Sequence, residues 1–462
     1  MRPRRRVCRW NLRAKFQLDP RGGRRCVLPA AATGRRRCRA IGCALLAVLA
    51  AGFGLAHRSD GHTAFGCEPV PPESHAKGPL SFINTGFENA SPLQWDVAQD
   101  GTIRVRLLYD YERESPNRAA GHWHFQLQAV PGSDLTLTLE NFDNIYNGRP
   151  GAAVSKKSIC FLSNDGERWT SVPVELLEGN RLRARVRTEG DGLYLARIEP
   201  YRISDLDRLL EEIGDHHLVE ITSIGKTVEG RPLEMLRVGD PNAPFRVLLR
   251  ARAHPWEPGG NWVVQGLVRA LLGDDQVTRD CLKRYCVYAM PMANKDGVAR
   301  GRTRFNVLGK DLNRNWDRPA DPNLAPENHA LETWIKRCVE QGRPPHLAID
   351  LHNDEGGGLH ISRPPVDDLE RYLARMKLLE KLLRQHTWFT EGSSGPHFRN
   401  PGTLGEGLLE RYGIDALIME FNCNWIAGLG ERPSGAAWEQ FGRQLREVFF
   451  DYFESWEDPA GK

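Results

Sequence analysis

The sequence predicts an all-β sandwich over residues 81–200 followed by an α/β domain over 201–455, the latter a mixed, mostly parallel sheet flanked by helices. Three observations predict it. Residues 81–200 carry short apolar/polar alternations separated by Gly-bearing turns. Near residue 201 the pattern changes to apolar strand-like runs alternating with runs of helical spacing. Four of those apolar runs end in His, Glu, Asn or Asp, where the ligand site of an open α/β sheet lies.

Ahead of the sandwich, residues 1–39 hold thirteen arginines and Lys15 against Asp19 alone, so the formal +4 of the whole chain conceals a net acidic body. No basic face is expected there, which excludes nucleic acid as a partner. Seventeen uncharged residues, 40–56, follow the basic lead and precede His57-Arg58-Ser59-Asp60. Basic, apolar, then polar is the layout of an export signal, cleaved after Ala56 or kept as an anchor. The expectation is export to a cell envelope, a periplasm or the outside, with 40–56 the one means of membrane attachment. Residues 1–57 form this lead with its signal peptide or anchor, 58–80 a linker rich in Pro and Gly toward its end, and 456–462 a tail.

Within the sandwich, Trp123, Phe125, Leu127 and Ala129 share one face of a strand, as do Leu135, Leu137 and Leu139. Further runs at 157–162, 181–187 and 192–198 are parted by turns at Asn164-Asp165-Gly166, Glu178-Gly179-Asn180 and Gly190-Asp191-Gly192. No catalytic cluster stands out. His122 and His124, either side of Trp123, read as solvated residues of a strand edge.

The α/β domain opens with a helix over 201–213, capped by Ser204 and striped by Leu206, Leu209, Leu210 and Ile213. Strands are expected at 245–253, 286–292, 346–351 and 416–421, and helices at 262–272, 328–340, 366–386, 405–412 and 437–454. Past the apolar segment come Cys67, Cys160, Cys281, Cys286, Cys338 and Cys423, none in a CxxC or zinc-ribbon spacing. Cys338 and Cys423 lie in apolar surroundings that suit free thiols; the pairing of the others stays open.

His254 and Glu257 close the first α/β strand in a loop shaped by Pro255 and Trp256, offering an imidazole and a carboxylate three residues apart. His352, ending the 346–351 strand, adds a third donor. Together they make a candidate site for one Zn2+ with a fourth position open, as hydrolytic zinc sites have. Asp350 and Asn353 are candidates for fixing the His352 tautomer. Glu420 ends a run too apolar to hold a carboxylate without purpose, and can relay a proton to a leaving amine. The segment 300–317 between the ligands carries Arg302, Arg304, Asn313 and Arg314. Guanidinium groups suit capture of a carboxylate, and Asn313 adds neutral donors.

His-Pro-Trp-Glu at 254–257, Asn294-Lys-Asp-Gly297, Asp311-Leu-Asn-Arg-Asn-Trp-Asp317, His352 and the Glu420 strand, in this order, resemble the zinc carboxypeptidases of the M14 type. The sandwich, with Trp123-His-Phe125 and Leu193-Tyr-Leu-Ala-Arg-Ile-Glu-Pro-Tyr201, is similar to the amino-terminal domain of that family's cytosolic carboxypeptidase branch, whose best-known members trim glutamates from tubulin tails. The resemblance implies His254, Glu257 and His352 as ligands of one Zn2+, and Glu420 as general base and acid. It implies Arg304, with Arg302 as its rival, as the group that polarises the scissile carbonyl, and Asn313 with Arg314 as the holders of the substrate's terminal carboxylate. The implied reaction is release of C-terminal amino acids from peptides or proteins.

Two features of the family pattern are missing. No tyrosine occurs between Tyr372 and Tyr412, and no arginine stands shortly after the Gly-Thr pair in Gly402-Thr403-Leu404-Gly405, so a preference for acidic termini is not predicted. The expected export makes peptidoglycan stem peptides an alternative substrate. Outside enzymes, the alternative is a non-catalytic peptide-binding module. The sequence leaves the oligomeric state open.

Overall fold

Alternation in residues 81–200 builds two five-stranded sheets in the computed structural model, which describes residues 78–456. The lead 1–57, the linker up to residue 77 with Cys67, and the tail beyond Trp456 lie outside the described residues. One sheet runs Leu80–Asn84, His124–Ala129, Gly192–Ala196, Ile159–Ser163, Thr170–Pro173; the other runs Glu175–Leu177, Arg181–Arg187, Asp134–Glu140, Ile103–Leu107, Leu93–Val97. Ile103, Val105 and Leu107 point inward while Arg104 and Arg106 point to solvent, and Leu182, Ala184 and Val186 alternate with arginines in the same way. The inward sets meet Phe125, Leu127, Leu135, Leu137 and Leu139 in one core, each large side chain contributing roughly 1.5–3 kcal/mol by its burial.

His122 and His124 correct the sequence expectation, since both are buried rather than solvated. Asn89 satisfies them: its carbonyl accepts from His122 Nε2 at 3.1 Å and its side-chain oxygen lies 3.1 Å from His124 Nδ1. Burial pushes the His122 imidazole down to about 4.

The four apolar runs of the second half become the centre of a seven-stranded mixed sheet. Tyr285–Met290, Phe245–Ala251, Leu347–Asp354 and Asp415–Asn422 are parallel neighbours in that order. Antiparallel strands flank them: Pro232–Val238 and then Val219–Lys226 on one side, Gly358–His360 on the other. The central strands are buried on both faces and so read as unbroken apolar runs. Ile203–Ile213, Gly259–Leu271, Gln276–Arg284, Leu369–His386 and Gly435–Glu454 cover one face. Pro326–Glu340 and Leu404–Tyr412 cover the other. Helices Gly259–Leu271 and Gly435–Glu454 cross so closely that a Cβ on Gly266 would strike Glu439 O and one on Gly442 would strike Val263 O.

The first helix begins at Ile203, so Ser204 is not its cap. Glu88, from the sandwich, accepts the Ile203 and Ser204 N–H groups at 2.6 and 3.3 Å and places an anion on the helix N-terminus. Among the described residues Cys160, Cys281, Cys286, Cys338 and Cys423 are free thiols.

Candidate metal centre

Carboxyl ends of the parallel strands converge on one point. After Ala251 the chain turns through Arg252, a non-glycine residue at φ +62°. Its guanidinium is buried, pulled down to about 9 by that burial, and donates Nε to Pro255 O at 2.7 Å and Nη1 to Asn261 Oδ1 at 3.1 Å. Asn294 holds the same loop from another side, donating to Ala253 O at 3.3 Å and accepting Gly297 N–H at 3.0 Å. Gly297 must lack a Cβ, which would run into the Pro255 ring. Asn353 closes the third side by accepting Gly259 N–H at 2.8 Å. Pro255 is thus the gripped point of a rigid turn that aims His254 and Glu257 inward.

His254, Glu257 and His352 are buried, with one ligand atom from each lying within 4.8 Å of the others. His254 Nδ1 is 2.8 Å from Glu257 Oε1, and His352 Nδ1 is 2.7 Å from Glu257 Oε2. On the far side of each ring, His254 Nε2 meets Asp311 Oδ1 at 3.1 Å and His352 Nε2 meets Asp350 Oδ2 at 2.8 Å. Against the cost of burial, the two imidazoles hold the Glu257 carboxyl below its ordinary range. A neutral imidazole carries one N–H, so each ring can satisfy one of its two carboxylates as a donor. A cation held by His254, Glu257 and His352 would answer the other contact, and Asp311 and Asp350 stand where they would fix the tautomers of the two rings. Two imidazoles and a carboxylate, all buried, form a donor set that suits catalytic Zn2+.

Asp350 is itself clamped by Arg250, whose Nε donates to Oδ1 at 2.7 Å, both side chains being buried. The Asn353 side chain, in contrast, makes no hydrogen bond to the His352 ring; it ties the Glu257 loop to Phe421 O at 3.1 Å.

Asn313 Nδ2 lies 3.2 Å from His352 Nε2, while its Oδ1 accepts Leu404 N–H at 3.0 Å. Arg314 donates to Asn313 O at 2.8 Å and to Asn147 Oδ1 of the sandwich at 3.2 Å. Arg304 reaches the centre through Asp311, donating Nε to Oδ2 at 2.8 Å. Arg302 has no such link: its N–H donates to Gly297 O at 2.9 Å and its buried Nε has no partner. Glu420 stands opposite His352 in the register of the adjoining strands, with Oε2 unpartnered and His360 Nδ1 4.0 Å from Oε1. Burial raises its carboxyl well above the ordinary range. Asp354, His360 and Glu420 form a second, more open cluster, which comprises the surroundings of that carboxylate. Asp311, Arg252 and Tyr146 were not singled out by sequence. Tyr146 stands on a sandwich hairpin, where Asn144 Nδ2 donates to its hydroxyl at 2.9 Å and burial raises that hydroxyl above its ordinary range.

Residues 206–355 match the family model for the M14 peptidases, described as zinc carboxypeptidase. Over these residues the chain is similar to the M14 zinc carboxypeptidases. The M14 match takes in the triad, Arg304, Asn313 and Arg314, and stops short of Glu420. Mouse cytosolic carboxypeptidase 4 is 27% identical over 297 residues, covering 58% of this chain and 25% of the relative. Human cytosolic carboxypeptidase 1 is 32% identical over 297 residues, covering 58% of this chain and 23% of the relative. The chain thus spans about a quarter of the length of these curated relatives. Among solved structures, a metallo-carboxypeptidase from Burkholderia cenocepacia aligns with TM-score 0.71 at 23% identity over 81% of this chain and 99% of that one. A Pseudomonas aeruginosa metallo-carboxypeptidase aligns with TM-score 0.69 at 24% identity over 81% and 100%. These last two establish the fold.

The expected export is overturned. Relatives matched by sequence from mouse, zebrafish and human are named cytosolic carboxypeptidases. Among the described residues no helix is long and apolar enough to cross a membrane, and the 40–56 run behind the signal-peptide and anchor reading lies outside them.

Proposed function

We propose that this protein is a zinc metallocarboxypeptidase that releases C-terminal amino acids from peptides or proteins. The observation that carries the reading is the convergence of His254, Glu257 and His352 beside Glu420, Asn313 and Arg314. Zn2+, one ion per chain, supplies Lewis acidity and a water of lowered pKa. Glu420 Oε2 takes the proton of the attacking water and returns it to the departing nitrogen. Arg304, its Nε spent on Asp311, presents its remaining N–H groups to the developing oxyanion. Arg314 and Asn313 hold the terminal carboxylate, which restricts the reaction to the last peptide bond. Arg302, without a link to the centre, is set aside as the rival of Arg304.

Peptidoglycan stem peptides as substrate rested on export and lose that support with it. A non-catalytic peptide-binding module would keep the cations without needing Glu420. Glu420→Gln separates the two: an enzyme loses turnover and keeps zinc, whereas a binding module keeps its peptide affinity and has no turnover to lose. Profiling residues released from a peptide library, with and without chelator, tests the activity itself.

A further inference from the structure

The loop carrying Arg304 and Asp311 is held from outside the α/β domain. Asp110 of the sandwich, buried, accepts three successive backbone N–H groups, from Thr303, Arg304 and Phe305, at 3.0, 2.6 and 3.0 Å. Thr303 Oγ1 in turn accepts Gly121 and His122 N–H at 3.1 and 3.2 Å. A few residues on, Asn117 donates Nδ2 to Asp311 Oδ2 at 3.2 Å.

The Asn117 amide has one possible orientation. Its Oδ1 accepts the backbone N–H of Asn147 at 2.7 Å, so the nitrogen is the atom that faces Asp311. Asn117 is 2% exposed and its own N–H is tied to Ser115 Oγ at 3.1 Å. Asp311 then receives four donors: His254 Nε2 and Asn313 N–H on Oδ1, at 3.1 and 3.0 Å, and Arg304 Nε and Asn117 Nδ2 on Oδ2, at 2.8 and 3.2 Å. A carboxylate gripped at both oxygens cannot rotate, so the imidazole and guanidinium that share it keep a fixed separation.

We infer that Asn117 is a positioning residue of the metal centre, orienting Asp311 so that one oxygen aims the His254 imidazole and the other aims Arg304. The sandwich is therefore a part of the site and not an appended module. This rests on the zinc reading of His254, Glu257 and His352.

The test uses the full chain with Asn117→Leu, which removes the amide at similar size, and Asn117→Asp, which keeps the acceptor for Asn147 and turns the donor into a like charge against Asp311. Arg113→Ala is the control, because Arg113 ties the same loop through Leu308 O at 2.9 Å without touching Asp311. Zinc release to a chelator and steady-state kinetics are measured for each, with thermal unfolding to confirm folding. The expected result is zinc release faster by about tenfold in both Asn117 variants, and kcat lower by about tenfold with KM within about twofold. Arg113→Ala should match wild type. If Asn117→Leu fails to fold, Asn117→Asp decides. Wild-type zinc release and kcat in a folded Asn117 variant would overturn the inference while leaving the zinc reading intact, and equal zinc loss in Arg113→Ala would reduce it to general loosening of the loop and overturn it too. A wild-type chain that binds no zinc would overturn both.

Discussion

His254, Glu257, His352 and Glu420 share one property that made them legible: each closes an apolar run that has no other reason to end in a titratable group. Replacing the Glu420 carboxyl by an amide in Glu420→Gln should lower kcat by about 10²–10⁴-fold, with zinc content by mass spectrometry unchanged. The roles of Asp311 and Asn117 were not legible, because each depends on a partner distant in sequence: Asn117 and Asp311 are 194 residues apart. Arg252, bonded to nearby Pro255 and Asn261, was hidden for another reason, as a charged residue inside a run read as a strand. His122 failed differently, since a histidine in an alternating strand looks solvated unless the Asn89 that buries it is known. Its neutral, buried state has a pH consequence. Folded near 4 and unfolded near 6.5, it binds its proton on unfolding between those values. Its contribution is full above the unfolded value and is lost as pH falls toward 4, by roughly 3 kcal/mol. Urea midpoints at pH 7 and pH 5 should therefore differ less in His122→Gln than in wild type.

The four parallel strands at the centre of the sheet were predicted well and the antiparallel strands flanking them were not. The four parallel strands are continuous apolar runs and were placed to within a few residues. Val219–Lys226 is an edge strand with half its residues exposed, Pro232–Val238 opens on a proline, and Gly358–His360 spans three residues, so their periodicity was too weak to read. Helix Gln276–Arg284 is short and starts from Asp275, whose cap on Thr278 N–H is a local signal that composition alone did not raise. Spacing also hides how near helices come. Gly442→Ala places a methyl against Val263 O with backbone on both sides of the contact. It should destabilise the fold by about 1–3 kcal/mol, read from chemical denaturation, with zinc affinity unaltered in the folded fraction.

At the scale of the molecule, sandwich and α/β domain share one set of polar contacts around the metal centre. Arg197 of the sandwich is fully buried, donating to Asn424 Oδ1 at 2.9 Å and Glu355 Oε1 at 3.3 Å, with its guanidinium over the Trp123 and Trp256 rings. Gly301, at φ +58°, sits where a Cβ would strike Ala90 O. Gly301→Ala should therefore part the seam beneath Arg304, lowering the melting temperature and kcat together. Two modules were legible as separate patterns, but the seam was not, because it is made of single polar residues scattered over both.

His254, Glu257 and His352 are proposed to hold a catalytic zinc ion. Metal content of the purified, dialysed chain, measured beside His352→Ala, tests it most directly. About one zinc per chain in wild type and little in the variant, with peptide turnover following the metal, is the predicted result. Equal zinc in both proteins, or none in either after zinc is offered, would contradict it.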